Sequence, residues 1–237
     1  MTAVGAVVQG KTAYLYSDTA WIDEKRGHVI AFDNKIFAGA GRFPWAAVCT
    51  MGSGLPADLQ NAQMLLQQAR NATSLIKLMP LVLNDFQRRS YASGVEQPGL
   101  RLVTAYWDAR LKIARVSLVS NMLDGTEAFT PRGTVAHMDH HWSTDGDPAD
   151  MLGRSVDFKS PASFDPDVDG LAMLQAMRCR PLVAALDGSG AEGGCGIGGE
   201  AQQAVVTKAG VQLYSLHDWG DTIGQPIDPT RALGATL

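Results

Sequence analysis

Apolar and polar positions follow two different periods along the chain, and the places where one gives way to the other divide it into elements. Residues 2–9 (TAVGAVVQ) and 12–18 (TAYLYSD) are strand-like runs around Gly10-Lys11, a two-residue link that predicts a hairpin. Two further runs, "HVIAF" (28–32) and "PWAAVCTMG" (44–52), predict strands punctuated by "DNK" and "GAGRFP". Ala46-Ala47-Val48-Cys49 contains no polar residue, which predicts a strand covered on both faces.

From Pro56 the period becomes helical. "PADLQNAQMLLQQARN" places Leu59, Ala62, Leu65, Leu66 and Ala69 on one side, with proline near the start and Asp58 in the first turn. A second helix follows, capped by Thr73 or Ser74, with Leu75, Ile76, Met79, Val82, Leu83 and Phe86 at helical spacing. Pro80 predicts a kink in it, and "GVEQPG" ends it. Strands resume over residues 100–120, turning within "WDARL". "DGLAMLQAMRCR" predicts a third helix capped by Asp167 or Asp169, and the glycine-rich "DGSGAEGGCGIGG" leads to a strand pair over 201–218 that turns at Ala209-Gly210. Residues 124–164, rich in Gly, Pro, Asp and His, give no element.

Strands and helices thus come in separate runs, which argues against a doubly wound βαβ sheet. The predicted class is α+β: two mainly antiparallel sheets packed face to face, with helix layers outside, a four-layer αββα sandwich. Residues 1–224 are expected to form one domain and 225–237 a C-terminal tail.

Composition narrows the function classes. Hydrophobic residues make up 46% and charged residues 19%, at a net charge of −4, so the chain reads as globular. Its basic runs stop at Lys25-Arg26 and Arg88-Arg89, which excludes a nucleic-acid footprint. No apolar stretch approaches a membrane span, and the first residues do not form a secretory leader. Cys49, Cys179 and Cys195 are an odd number without framework spacing, so a reducing, cytoplasmic setting is expected.

The candidate chemistry begins at Thr2. Once Met1 is removed, this residue carries a hydroxyl and a free α-amine, a nucleophile and its own base. The amine titrates near ~8, and a lysine cation beside it favours the neutral form. Asp18 closes the second strand near the edge from which Thr2 starts, and Lys35 precedes a further strand; the carboxylate would hold Lys35 charged and in place.

Taken together, Thr2, Asp18, Lys35 and the turn "CTMGSGLPAD" resemble the opening of the proteasome β-subunit and HslV-type peptidases, members of the N-terminal nucleophile hydrolases. The resemblance covers roughly the first 70 residues and continues beyond them as an order of elements. It implies the αββα fold, a threonine peptidase or amidohydrolase with no metal or organic cofactor, and a backbone N–H at Ser53 or Gly54 that binds the oxyanion. Met51 would shape the pocket beside the cut bond. Ser143 in "HHWSTDG", with Gly198 and Gly199 in "CGIGGE", would form supporting positions, although Cys195 stands where the family has an aspartate. Peptides or small amides are the implied substrates. Self-association is implied as well, and some relatives work with an ATP-driven unfoldase. Two alternatives share the fold: a catalytically silent assembly scaffold, and a hydrolase of small amides.

Three other motifs compete for attention. In "HMDHH", His137, Asp139 and His141 would share one face of a strand and could hold zinc, but the spacing matches no strong motif, so the cluster with His140 reads as a polar loop or subunit contact. "DPDVDG" (Asp165, Asp167, Asp169, Gly170) copies the start of a calcium loop, yet Pro166 intrudes and Ala176 occupies the twelfth position; helix capping explains it better. "GGCGIGG" lacks the lysine of a phosphate-binding loop, and Cys195 has neither a base nor a cationic setting legible beside it.

Overall fold

The computed structural model describes residues 2–23, 26–39, 43–52, 56–94, 99–122, 133–143, 147–179 and 195–229. The first hairpin forms where the pattern predicts it. β1 (Val4–Gln9) and β2 (Thr12–Asp18) pair antiparallel, with Gln9 opposite Thr12. Gly10 takes the left-handed φ of +60° that this tight link needs. β3 (Ala20–Asp23) and β4 (His28–Phe32) make a small separate hairpin. β5 (Ile36–Ala38) and β6 (Ala46–Gly52) follow, then α1 (Pro56–Gln68) and α2 (Ala72–Ala92). β7 (Leu100–Asp108) and β8 (Ile113–Ser120) form the long central hairpin. β9 (Ala136–Met138), β10 (His140–Trp142), α3 (Pro148–Leu152), α4 (Val168–Arg178), β11 (Glu200–Thr207) and β12 (Gly210–Asp218) complete the order.

Two five-stranded antiparallel sheets result. The first runs β10-β1-β2-β11-β12, and the second β5-β6-β7-β8-β9. Three apolar layers hold them in a four-layer αββα sandwich. Leu65, Leu75, Met79, Leu83 and Phe86 of α1 and α2 bury against Val48, Leu102, Tyr106 and Val119 of the second sheet. Val4, Ala6 and Leu15 meet Cys49, Val103 and Val116 between the sheets. Tyr16, Trp142, Phe158, Phe164, Met173 and Leu174 fill the space under α3 and α4. Ala46 through Cys49 are all fully buried, so this stretch of β6 has no solvent face, as its unbroken apolar run predicts.

Local chemistry differs from the sequence reading at several points. The cap of α2 is Asn71, not Thr73 or Ser74. Its side chain accepts the Ser74 N–H at 2.8 Å, while Ser74 Oγ accepts the Asn71 N–H at 3.0 Å, a reciprocal capping box. Packing of Leu75, Met79 and Leu83 carries this helix through Pro80, which removes one amide donor from its ladder. At α4 the cap position is Asp167, which makes no side-chain cap bond. Asp165 does the capping instead, accepting the N–H groups of Asp167 at 3.0 Å and Val168 at 3.3 Å. Within the unassigned 124–164 stretch, β9, β10 and α3 form; α3 is capped by Asp147, which accepts the Ala149 N–H at 2.8 Å. Residues 225–229 lie against the small hairpin: Pro226 bridges His28, the Gln225 carbonyl accepts the Val29 N–H at 3.0 Å, and Ile227 is buried. Among the described residues no helix is long and apolar enough to cross a membrane.

Candidate active site

Asp18 is the last residue of β2, and the hairpin brings it level with the start of β1. Its Oδ1 accepts the Ala3 N–H, the amide that joins Thr2 to Ala3, at 3.0 Å. Lys35 immediately precedes β5 and places Nζ 3.0 Å from both Asp18 oxygens. The Ala20 carbonyl accepts from the same Nζ at 2.6 Å. Both side chains are sealed, at 2% and 0% exposure. A buried ion pair is stable only when its remaining polar capacity is filled, and here it is: the carboxylate takes two ammonium contacts and two backbone amides. The three protons of Lys35 are met by the two Asp18 oxygens and the Ala20 carbonyl. The Trp21 ring, with its centroid 5.8 Å from Nζ, adds a favourable quadrupole. Thr2 is half-buried at the mouth of the sandwich, one peptide bond from this clamp.

The remaining sequence candidates distribute around it. Gly198 donates its N–H to Asp18 Oδ2 at 3.2 Å, and its carbonyl accepts from Thr19 and Ala20. Gly199 has a φ of +75°, and a Cβ there would lie 2.3 Å from Thr19 Oγ1, so only glycine fits. Ser143 flanks the other edge of β1: its Oγ accepts the Val4 N–H at 2.8 Å, and its own N–H donates to the Val4 carbonyl at 2.8 Å. Met51 sits on β6 opposite Arg101, whose guanidinium reaches its sulfur at 4.0 Å. Ser53 and Gly54 lie outside the described residues, as does Met1.

Four contributors were not singled out in the sequence. Ser17 donates its hydroxyl to the Ala3 carbonyl at 2.9 Å, holding the peptide unit that follows the Thr2–Ala3 link. Thr19 Oγ1 accepts the Glu200 N–H at 2.8 Å. Asp221 Oδ2 accepts the Gly199 N–H at 2.8 Å, so an acid reaches the glycine segment although Cys195 stands where one was expected in the chain. Arg178 binds both oxygens of Asp221. Of these, Ser17 and Thr19 were within reach of sequence reasoning, since they flank Asp18.

Beneath the clamp, burial pushes the Cys49 thiol up to about 12, outweighing the lowering by Ser17 and Lys35. Cys195 is also raised, chiefly by burial, and its sulfur bonds the Arg178 carbonyl. Burial thus disfavours the reactive thiolate at both cysteines.

The histidine motif does not share one face. The chain changes sheets at Asp139: His137 on β9 pairs with Ser117 in the second sheet, while His140 and His141 on β10 pair with β1 in the first. His137 Nδ1 lies 2.7 Å from Ser117 Oγ, His140 stacks on Phe158 at 4.4 Å, and Asp139 pairs with Lys159 at 2.7 Å. Among the described residues no three His, Cys, Asp or Glu side chains converge as a metal site.

No family model matches the sequence, and no curated protein matches it either. Among solved structures the chain is similar to Anbu, the ancestral β-subunit, from Yersinia bercovieri, with a TM-score of 0.58 at 11% identity over 91% of this chain and 87% of that one. At such low identity the likeness speaks to the fold alone, and the chain therefore has a proteasome-like sandwich fold.

Proposed function

We propose that the chain is an N-terminal threonine hydrolase that cleaves peptide bonds after Met1 is removed. The observation that carries this reading is the buried carboxylate of Asp18, which holds both the amide following Thr2 and the ammonium of Lys35. In the proposed reaction Thr2 Oγ attacks the substrate carbonyl while its proton passes to the α-amine of the same residue. Lys35 keeps that amine neutral before attack through like-charge repulsion, and it stabilises the negative charge that develops. A backbone N–H at Ser53 or Gly54 would receive the oxyanion, where one lost donor costs about 10²–10³ in rate. The amine then returns its proton to the leaving nitrogen, and water releases the ester with the amine again as base. Met51 forms one wall of the pocket. No step needs a metal or organic cofactor.

Assembly of several copies, as the resemblance implies, belongs to the same reading, and light scattering that returned a clean monomer would remove it. Cys195, at the position of a family aspartate, favours a second reading in which the fold is kept as a silent scaffold. Asp221, bonded to the same glycine segment, weighs against that. A panel of fluorogenic peptides beside simple amides separates the cases. Peptide cleavage that disappears in Thr2→Ala supports the peptidase, turnover of amides alone moves the substrate class, and inertness of a chain that begins at Thr2 supports the scaffold.

A further inference from the structure

Residues 195–198 belong to no helix or strand, yet Gly198 must present its N–H to Asp18. What holds that segment is a second buried ion pair. Arg178 ends α4, where the helix dipole favours a cation. Its guanidinium forks onto Asp221 at 2.7 and 2.8 Å, with the two side chains at 0% and 2% exposure. The same guanidinium donates to the carbonyls of Ile197 and Asp228, each at 2.8 Å, and lies 4.9 Å from the Trp219 ring centroid. Asp221 in turn accepts the Gly199 N–H. Gly198 presses directly on the pair: a Cβ there would fall 2.5 Å from Asp221 Oδ2 and 3.0 Å from Arg178 Nη1.

We propose that Arg178 and Asp221 are positioning residues for the Thr2 site: by gripping Ile197 and Gly199 on either side, they aim the Gly198 amide at Asp18 and thereby fix where Asp18 holds Lys35. This rests on the reading of Thr2 as nucleophile for its functional part, while its structural part stands alone. Two linked buried pairs, Arg178–Asp221 and Lys35–Asp18, share Gly198 as the coupling residue. Neither Arg178 nor Asp221 touches the reacting atoms in this proposal, so their loss should act through geometry. A bidentate fork is not reproduced by lysine, which makes Arg178→Lys a mild perturbation that keeps the charge.

The test uses the mature chain with Arg178→Lys and Asp221→Asn. Amide hydrogen exchange is followed at Ala3 and Gly198, the two N–H donors to Asp18, with Val103 and Leu118 as core references. Exchange at both donors is expected to accelerate about tenfold or more while the references hold. In parallel, the rate at which an epoxyketone captures Thr2 is measured against pH. Its midpoint is expected to rise by about half a unit as Lys35 loosens its hold on the amine. A variant that loses only fold stability accelerates the references too and leaves the midpoint in place, which overturns the proposal. So does acceleration at Gly198 alone, because the pair would then anchor its own loop without reaching Asp18. Should Asp221→Asn fail to fold, Arg178→Lys decides. If the unmodified protein captures no electrophile, the hydrolase reading fails while the exchange at Ala3 still decides the coupling.

Discussion

Two clusters of titratable residues stand out in this chain, and the fold treats them in opposite ways. Asp18 and Lys35 are 17 positions apart, yet both oxygens of the carboxylate lie 3.0 Å from the ammonium in a fully buried setting. His137, Asp139 and His141 sit within five residues and are separated, because β9 and β10 belong to different sheets. Asp139 then pairs with Lys159 at the surface, with both side chains more than half exposed. Nearness in sequence is a poor guide to a shared site when the chain changes sheets, whereas the end of a hairpin reliably returns to its own start. The burial of the Asp18 pair also means that it cannot be loosened cheaply, and the exposed pair can.

The largest difference should appear when each pair is broken. Lys35→Ala leaves a carboxylate buried without its counter-ion and is expected to cost about 3–5 kcal/mol in urea unfolding. Lys159→Ala should leave the unfolding midpoint within error of the unmodified protein. Equal effects from the two variants would erase the contrast. A smaller loss, about 1–3 kcal/mol, is expected for Gly198→Ala, whose new Cβ meets Asp221 at 2.5 Å and Ile227 at 2.7 Å. Gly10→Ala meets no atom within 4 Å and suffers only its left-handed backbone, costing about 1–2 kcal/mol.

The sheet crossover should respond to pH. Burial lowers the pKa of His137 and His140, with Arg115 adding to the effect at the first. Protonation therefore favours the unfolded chain. Stability from this source is intact above the ordinary histidine value near ~6.5 and declines as pH falls from there through the depressed folded values. The fall in unfolding midpoint between pH 7.5 and 5.5, both chosen as about one unit either side of that value, should be smaller in His137→Gln/His140→Gln. An unchanged fall would place the acid sensitivity elsewhere. The smallest effect concerns the thiols. Cys179 is exposed and should react with a thiol reagent in the native protein, whereas Cys49, pushed up to about 12 by burial, should react only on unfolding. Native labelling at Cys49 would show that the space beneath the clamp opens.

Much of the sandwich was legible because its signals are local. Gly10-Lys11 sets the first hairpin, the unbroken apolar run of β6 announces two covered faces, and α2 shows its buried stripe from Leu75 to Phe86. Thr2, Asp18 and Lys35 are candidates through the order and spacing that a resemblance supplies; the structure brings Asp18 and Lys35 together and adds what spacing could not, namely the Ala3 and Gly198 amides. Other features depend on contacts distant in sequence. Asp221 reaches Gly199 only after β11 and β12 have gone out and returned, so no local pattern marks it. β9 and β10 are three residues each, too short for a period to show. At α4 the cap position is Asp167, one of the two aspartates that the sequence offered, but the capping bonds are not its own: three aspartates alternate around the helix start, and only the fold decides that Asp165 turns its side chain onto the amides of Asp167 and Val168 while Asp169 bonds Arg154.

That Thr2 becomes a nucleophile beside the Asp18–Lys35 clamp is tested by intact mass with N-terminal sequencing. The protein is measured before and after exposure to a peptide epoxyketone, a reagent that consumes both the hydroxyl and the free amine. The expected result is a chain that begins at Thr2 and gains one adduct there, with no adduct on Thr2→Ala. A chain that begins at Thr2 and stays unmodified by epoxyketones bearing varied peptides would contradict the claim and leave the sandwich as a scaffold.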